Sequence, residues 1–370
     1  MTLDQKLEWV CRQFCIEGTY LKHETISVGN VNKTYEVYFR KPDGTPKSYL
    51  IQNVNTYAFR KPIELMENID KVTEHIRHKN PDTISLHFHH TKDRRIYVED
   101  GDNFWRMMNY IPSITYSSIT SRTVVLNAGK AFGDFQQQLA DFDINQLTET
   151  IPNFHNTRER YRQMEAAIAA DPEGRAAGVQ QEIDFLRSVQ EDACLLTDLQ
   201  RQGNLPLRVT HNDTKVNNVL FDPKDDSAVV VIDLDTVMPG LMGNDFGDAI
   251  RFAANKVAED CPDPEKAGLN MDTFQAFSEG FLSKTACTMT QNEADTLAQS
   301  CFCLTAELAT RFLTDYLLGD PYFNTAYPEH NLVRTRCQIA LAKDMIRHKR
   351  DMQQVIRRYV DLYINAAAAQ

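Results

Sequence analysis

The spacing of apolar residues changes once along the chain, near Pro112, and this change constrains the fold more than any other feature. Before Pro112, residues 25–39 and 48–54 alternate as strands around a KPDGTPK turn, and RRIYV and FWRMMNYI predict a second hairpin. A helix opened by Pro62 lies between the hairpins. After Pro112, apolar residues recur mostly three and four apart. The sequence therefore predicts an α+β fold with a β-rich lobe, residues 1–111, a mainly helical lobe, residues 112–370, and a cleft between them.

The N-terminal segment predicts an amphipathic helix and no targeting signal. Leu3, Leu7, Val10 and Phe14 lie on one face of a helix that should end near Gly18. Charged residues are interspersed among them, which is not the basic-then-apolar order of a signal peptide. The rest of the chain contains no apolar stretch long enough to span a membrane.

The net charge limits the classes of binding partner, and the cysteine spacing indicates the redox state of the compartment. The 40 basic and 51 acidic residues give a net charge of -11, which argues against nucleic acid and anionic membranes as partners. The 8 cysteines form no CxxC pair, so neither a zinc framework nor a redox dithiol is indicated. We therefore expect reduced thiols, a cytoplasmic location and small-molecule partners, with a monomer favoured.

A short β-rich segment, residues 207–238, interrupts the helical part and carries an unusual number of polar side chains. Residues 219–221 and 228–232 read as strands joined by a PKDDS turn. Folding one strand back on the other should bring the residue before the first strand near the residue after the second. The segment therefore predicts one site composed of His211, Asp213, Lys215, Asn218 and Asp233.

Phosphoryl transfer needs these residue types. A carboxylate accepts the proton of the attacking hydroxyl, an amide oxygen and a second carboxylate hold Mg²⁺, and a cation offsets charge on the transferred group. The order His211-x-Asp213-x-x-x-x-Asn218 has the spacing of a kinase catalytic loop. An Asx-rich turn that caps backbone groups is the alternative for this segment alone. The IDLD sequence that follows a β-branched strand favours the catalytic interpretation.

The sequence Asp245-Phe246-Gly247 spells the metal motif of protein kinases, but it lies past a Pro-Gly turn and away from the predicted hairpin. We assign the metal to Asp233 instead. Asp245 and Asp248 are interpreted as braces that accept hydrogen bonds from backbone N–H groups of the catalytic loop. A direct role of these two carboxylates as metal ligands is the alternative.

Several sequence blocks resemble the aminoglycoside phosphotransferase and choline kinase family, whose fold is similar to that of protein kinases. More narrowly, they resemble the N-acetylhexosamine 1-kinases of that family. The resemblance is strongest between about residues 130 and 338, with weaker likeness back to residue 27. The blocks are RVTHNDTKVNNVLFD, VIDLDTVMPG, DFGDAIRF, AFGDFQQQLADFD, QLTETIPNFHNT, RFLTDYLLGDPYF and YPEHNLVRTR.

This resemblance implies phosphorylation of the anomeric hydroxyl of N-acetylglucosamine or N-acetylgalactosamine, with ATP and Mg²⁺ as cosubstrate and cofactor. Asp213 would be the catalytic base in contact with the sugar, Lys215 a second catalytic residue, Asn218 and Asp233 the magnesium ligands, and Arg311 a sugar contact. The first lobe would be the nucleotide-binding lobe. Its candidate nucleotide contacts are Gly29, Asn30, Asn32 and Thr34 in the phosphate loop, Gln52 on the third strand, and Met108 and Tyr110 in the hinge.

One departure from the kinase pattern bears on mechanism and on the alternatives. Kinases carry a Lys on the third strand, and the equivalent residue here is Gln52, which offers a hydrogen bond and no charge. Our hypothesis is that Lys215 and Mg²⁺ supply the missing positive charge. The alternatives are a kinase of choline, an amino alcohol or a methylthiosugar, and a nucleotide-binding regulatory protein that has lost catalysis.

Overall fold

The computed structural model describes residues 1–26, 31–118 and 121–369. Its contacts divide the chain into two compact units. The first unit comprises Met1–Ile114, Asp141–Pro152 and Ile232–Met238, and the second comprises Thr115–Ala140, Asn153–Val231 and Pro239–Gln370. The first unit thus includes two short segments from later in the chain, which the periodicity of apolar residues alone does not indicate.

The first unit contains a sheet and two helices. Its described strands form an antiparallel sheet in the order β1-β2-β3-β5-β4. Both predicted hairpins and the predicted helix at Pro62 are confirmed. The elements are α1 (Leu3–Cys11), β1 (Thr19–Ile26), β2 (Lys33–Arg40), β3 (Pro46–Val54), α2 (Pro62–Lys79), β4 (Val98–Asp100) and β5 (Asn103–Asn109).

The expected end of the N-terminal helix near Gly18 is wrong, because α1 ends at Cys11. Phe14 instead forms an isolated antiparallel bridge with Thr91. The helical spacing of Phe14 therefore reflects burial of its ring at 2 % exposure and not continuation of the helix.

The two faces of the sheet have different chemistry. Tyr35, Ile51 and Met107 are opposite one another on β2, β3 and β5, and they belong to a buried apolar cluster that includes residues of α1. Because side chains alternate along a strand, the neighbouring row lies on the other face. That row is Thr34, Gln52 and Arg106, and it is polar.

The second unit is mainly helical and includes the predicted β-rich segment. In its small hairpin, Val219 pairs with Val231. The strand β9 carries the chain from the first unit into the second. The elements are α3 (Arg122–Gln138), α4 (Thr157–Ala170), α5 (Gln180–Ser188), α6 (Gln190–Ala193), α7 (Leu195–Arg201), β6 (Arg208–Thr210), β7 (Val219–Phe221), β8 (Ala228–Val231), β9 (Met238–Gly240), α8 (Met242–Ala253), α9 (Met271–Thr285), α10 (Gln291–Leu317), α11 (His330–Arg347) and α12 (Lys349–Ala368).

Glycines let helices of the second unit approach closely. A Cβ atom at Gly280 of α9 would lie 2.1 Å from the carbonyl oxygen of Leu126 on α3. A Cβ atom at Gly247 of α8 would lie 2.5 Å from the carbonyl oxygen of Ser300 on α10. These contacts set the position of α8, which supports the loop described next. Among the described residues, no helix combines the length and apolarity needed to cross a bilayer.

Candidate active site

The loop between β6 and β7 begins with a buried histidine, His211, that stabilises its conformation. His211 is 0 % exposed, and its ring lies edge-on to Phe132 and Phe135, with centroids 5.5 and 6.0 Å away. Its Nδ1 atom accepts a hydrogen bond from the backbone N–H of Asp213 at 3.3 Å. A histidine fixed in this way supports the loop, as the sequence predicted.

Two carboxylates from α8 accept hydrogen bonds from the backbone of the same loop. Asp245 accepts from the N–H groups of His211 and Asn212 at 3.0 and 2.7 Å. Asp248 accepts from the N–H group of Thr214 at 3.2 Å. These carboxylates lie on one face of α8 because positions three apart are neighbours on a helix. The bracing role predicted for both residues is confirmed.

The loop presents Asp213, Lys215 and Asn218 together. A 3₁₀ turn at Val216–Asn218 returns the chain, so that the side-chain amide of Asn218 donates to the carbonyl oxygen and Oδ2 of Asp213 at 2.8 and 3.2 Å. The Nζ atom of Lys215 lies 2.7 Å from Oδ1 of Asp213. Burial lowers the pKa of Lys215, but the charges of Asp213 and Asp248 raise it overall, so this side chain is a fixed cation at neutral pH.

Asn218 and Asp233, the two predicted magnesium ligands, each carry a side-chain oxygen of the kind that Mg²⁺ binds. The amide nitrogen of Asn218 donates a hydrogen bond to Asp213. The amide oxygen of Asn218 is therefore the atom of this side chain that can bind a cation. Asp233 follows the β7–β8 ladder two residues after Val231 and is exposed, with a left-handed backbone at φ 62°. The described residues contain no cluster of three or more His, Cys, Asp or Glu arranged for a metal. Mg²⁺ commonly uses one or two protein oxygens together with substrate phosphates. The assignment of both residues as magnesium ligands stays a prediction.

In the first unit, the polar row of the sheet is joined to the IDLD sequence. The side-chain amide of Gln52 donates to Thr34 at 2.9 Å, and Nε of Arg106 donates to Oε1 of Gln52 at 2.8 Å. Arg106 also forms a buried ion pair with Asp235, which in turn accepts from Nδ2 of Asn32 at 2.6 Å. Asp235 is thus committed to a cation of its own unit.

The remaining predicted nucleotide contacts lie near the ends of strands. Gly29 and Asn30 lie outside the described residues, whereas Asn32 directly precedes β2. Met108 is buried near the end of β5, and Tyr110 is half-buried directly after that strand. Their assignment to a phosphate loop and a hinge stays a prediction.

Arg311, the predicted sugar contact on α10, lies among aromatic rings of the second unit. Its guanidinium carbon is 5.7, 5.9 and 5.4 Å from the ring centroids of Phe154, Tyr322 and Phe323. The charge of Arg311 also lowers the pKa of Glu307, against the upward effect of burial on that carboxyl.

A path of polar groups runs from the catalytic loop toward Arg311. Burial would raise the pKa of Asp248, but the charges of Arg251, Lys215 and His155 lower it overall. Nδ1 of His155 is 2.9 Å from Oε1 of Glu307. The Nε2 atom of His155 is buried, with no hydrogen-bond partner among the described residues.

Sequence reasoning missed Arg106, Asp235, His155 and Glu307. A signal existed for Arg106, since it is the single charged residue in the apolar strand sequence FWRMMNYI. Asp235 is two residues after Asp233 in the IDLD sequence. The sequence does not show that Asp235 is buried whereas Asp233 is exposed. His155 and Glu307 are far apart in sequence, and no local pattern links them.

Comparison with known proteins shows the family and the fold of this chain. Residues 36–275 match the sequence model of the "Phosphotransferase enzyme family". An aminoglycoside phosphotransferase from Alicyclobacillus acidocaldarius has a similar structure, with a TM-score of 0.59, 12% identity and coverage of 95% of this chain and 96% of that one. Spectinomycin phosphotransferase in complex with ADP and spectinomycin gives a TM-score of 0.56, 15% identity and coverage of 94% and 99%. Ethanolamine kinase from Plasmodium vivax gives a TM-score of 0.53 and 16% identity, with coverage of 86% of this chain and 82% of that one.

At these identities the structural likenesses establish the fold, and they confirm the predicted α+β, protein-kinase-like architecture. The sequence match covers more than half of the chain and includes the catalytic loop, both bracing carboxylates and the IDLD sequence. The chain therefore belongs to the phosphotransferase enzyme family of aminoglycoside phosphotransferase and choline kinase relatives.

Proposed function

We propose that the protein is an ATP- and Mg²⁺-dependent kinase that phosphorylates the anomeric hydroxyl of N-acetylglucosamine or N-acetylgalactosamine. The observation that carries the proposal is the contact of Asp213 with Lys215 and Asn218 on a loop fixed by Asp245 and Asp248. The sequence blocks shared with N-acetylhexosamine 1-kinases support the choice of sugar.

The residues of the loop divide the chemistry among them. Asp213 orients the acceptor hydroxyl and accepts its proton as the hydroxyl attacks the γ-phosphate. Lys215 offsets negative charge on the transferred group, and the amide oxygen of Asn218 with the carboxylate of Asp233 would hold Mg²⁺. When bound, that ion neutralises charge on the phosphates. Asp245 and Asp248 on α8 hold the loop, and with it Asp213, in a fixed position before the reaction, so no reorganisation energy is needed during it.

The nucleotide contacts are proposed in the first unit, together with its role as the nucleotide-binding lobe, residues 1–111. Gly29, Asn30, Asn32 and Thr34 would follow the phosphates, with Gln52 beside them. Met108 and Tyr110 would offer backbone groups to adenine. The ADP complex of spectinomycin phosphotransferase, which has a similar fold, supports a nucleotide as donor.

The surroundings of Arg311 favour a neutral, hydroxyl-rich acceptor over a quaternary ammonium. Phe154, Tyr322 and Phe323 form the kind of aromatic group that binds choline, but the guanidinium of Arg311 already lies against all three rings. A cationic acceptor at this place would be repelled. A sugar ring packs on aromatic carbon and accepts hydrogen bonds from Arg311.

A substrate panel tests the proposal. Turnover of ATP is measured with N-acetylglucosamine, N-acetylgalactosamine, glucose, choline, ethanolamine and a methylthiosugar, and the position of the phosphate is read by ³¹P NMR. We expect ADP release with the N-acetylhexosamines and phosphate on C1. Phosphate on C6, or turnover with choline or ethanolamine alone, would assign a different substrate. ATP binding without turnover of any acceptor would favour a regulatory protein.

The Asp213→Asn variant tests the catalytic assignment. Its turnover should fall by about 10²- to 10⁴-fold, because the base is lost while the hydrogen-bonding shape is kept. Nucleotide binding should stay unchanged. The matched control is Asp184→Asn, an exposed residue of α5. Near-full activity of Asp213→Asn would remove Asp213 from the mechanism.

A further inference from the structure

The first unit contains a buried cation beside the position where kinases carry their third-strand lysine. Gln52 occupies that position on β3, and Arg106 is its direct cross-strand partner on β5. The Arg106 side chain is 2 % exposed. Its guanidinium carbon lies 5.7 Å from the centre of the Phe88 ring, so the charge is held in an apolar environment.

Two hydrogen bonds fix this guanidinium in one orientation. Nε donates to Oε1 of Gln52, and Nη1 donates to Oδ1 of Asp235. Arginine suits this arrangement because its planar fork presents several donors in fixed directions. A lysine ammonium on the same strand would not reach both partners with the same geometry.

The partners of Arg106 lead directly to the segment proposed to cover the phosphates. Asp235 accepts from Nδ2 of Asn32, and Oδ1 of Asn32 accepts from the backbone N–H of Asn55. Gln52 donates through its amide nitrogen to Thr34. Both ends of the network therefore terminate on residues that flank the start of β2.

We propose that Arg106 is a positioning residue for nucleotide binding, which takes over the role of the missing third-strand lysine. It orients Gln52 toward the phosphates and, through Asp235, holds the side chain of Asn32 directly before β2. It also retains a positive charge in the nucleotide-binding unit, in addition to Lys215 in the second unit. This inference rests on the proposed use of ATP.

The ion pair with Asp235 makes burial of the Arg106 charge tolerable. A buried cation without a carboxylate partner is costly, and Asp235 supplies that partner at the Arg106 position. The same pairing assigns different tasks to the two aspartates of IDLD. Asp235 pairs with the buried Arg106, whereas Asp233 is exposed and is the residue proposed to bind the cation.

The test measures binding of the non-hydrolysable analogue AMP-PNP with Mg²⁺ by calorimetry, alongside steady-state kinetics. For Arg106→Met we expect the Kd for AMP-PNP and the KM for ATP to rise by about 10- to 100-fold, because the charge-assisted hydrogen bonds that position Gln52 and Asp235 are lost. The KM for the sugar should stay within about twofold, since Arg311 lies in the other unit. A purely structural role would instead lower the folded fraction without changing the Kd of the folded protein.

A charge transposition provides the second variant, because Arg106→Met leaves Asp235 unpaired and can fail to fold. Arg106→Gln combined with Gln52→Lys keeps one cation and one amide in the same cross-strand row. We expect it to fold and to bind AMP-PNP within about tenfold of the wild-type protein. Arg106→Gln alone should bind more weakly than this double variant.

The proposal is overturned if folded Arg106→Met binds AMP-PNP as tightly as the wild-type protein, or if the transposed variant folds and binds no better than Arg106→Gln alone. Failure of the proposed function looks different. Wild-type protein that does not bind AMP-PNP would exclude ATP as donor, whereas wild-type protein that binds it and phosphorylates another acceptor would correct only the sugar.

Discussion

At the scale of single residues, ionised side chains of the second unit are arranged as alternating charges. Lys215 faces Asp213, and Asp248 lies between Arg251 and the backbone of the catalytic loop. Arg251 also pairs with Glu259. Each of these charges thus has a partner of opposite sign, which is the condition under which burial of a charge is tolerated.

The pH dependence of stability should reveal the Asp248 charge. A carboxyl whose pKa is lower in the folded chain stabilises the fold above its unfolded pKa, and that stabilisation is lost as the pH falls through the folded value. The pKa of Asp248 is lowered below 3.8 by Arg251, Lys215 and His155, although burial acts in the opposite direction. We expect Asp248→Asn to lose about 3 kcal/mol of unfolding free energy near neutral pH and progressively less below about pH 4.

Urea denaturation of the wild-type protein and Asp248→Asn between about pH 7 and about pH 3 measures this difference. Asp184→Asn is the control, because its side chain is exposed and accepts a hydrogen bond from Gln180 within α5. A difference between wild type and Asp248→Asn that stays constant over the whole range would contradict the assignment.

At the scale of elements, the position of α8 decides the shape of the catalytic loop. The helix packs against α10 through Gly247, and it carries Asp245 and Asp248 on the face that meets the loop. Gln136 of α3 donates to Asp245 at 2.6 Å, so α3 also contributes to the brace. Because α3 packs on α9 through Gly280, helix spacing and loop geometry are connected.

The Gly280→Ala variant tests this close packing. The added methyl group would lie 2.1 Å from the carbonyl oxygen of Leu126 and 2.8 Å from the backbone nitrogen of Lys130, and neither can move without shifting α3. We expect a loss of about 1–3 kcal/mol in unfolding free energy, measured by urea denaturation. Gly178→Ala is the matched control because no atom lies within 4 Å of its added Cβ. Equal stability of the two variants would show that α3 and α9 separate at little cost.

At the scale of the whole molecule, each compact unit carries its own part of the proposed chemistry. The first unit contains the Gln52, Arg106 and Asp235 network, and the second contains the catalytic loop and Arg311. Cysteines are distributed over both units, and all are free thiols. Their reactivity therefore reports on how well both units are packed.

Thiol titration provides a measurement on the complete chain. Burial raises the pKa of Cys11 to about 12 and that of Cys194 to about 11, so neither forms the reactive thiolate at ordinary pH. In the native protein at about pH 8, we expect Ellman's reagent to react quickly with the exposed Cys15 and Cys287 and more slowly with Cys261.

All 8 cysteines should react after denaturation in guanidinium without reductant. Fewer than 8 would indicate a disulfide, and rapid reaction of the buried cysteines in the native protein would indicate loose packing. The buried set is Cys11, Cys194, Cys301, Cys303 and Cys337.

The sequence by itself determined the class of fold and predicted the loop on which the proposed chemistry is centred, because both depend on local patterns. Alternation and helical spacing predicted the sheet and the helices, and the interval from His211 to Asn218 predicted the catalytic loop and its braces. The end of α1 was misjudged because Phe14 is buried by a long-range bridge and not by helix packing.

Only the tertiary structure decided which buried charges belong together. Arg106 meets Asp235, and His155 meets Glu307, across separations that no local pattern spans. Such pairs form because a charge removed from water must find a partner, and the partner is whichever carboxylate the fold brings within reach. The residue types were therefore visible in the sequence, whereas their pairing came from packing of distant segments.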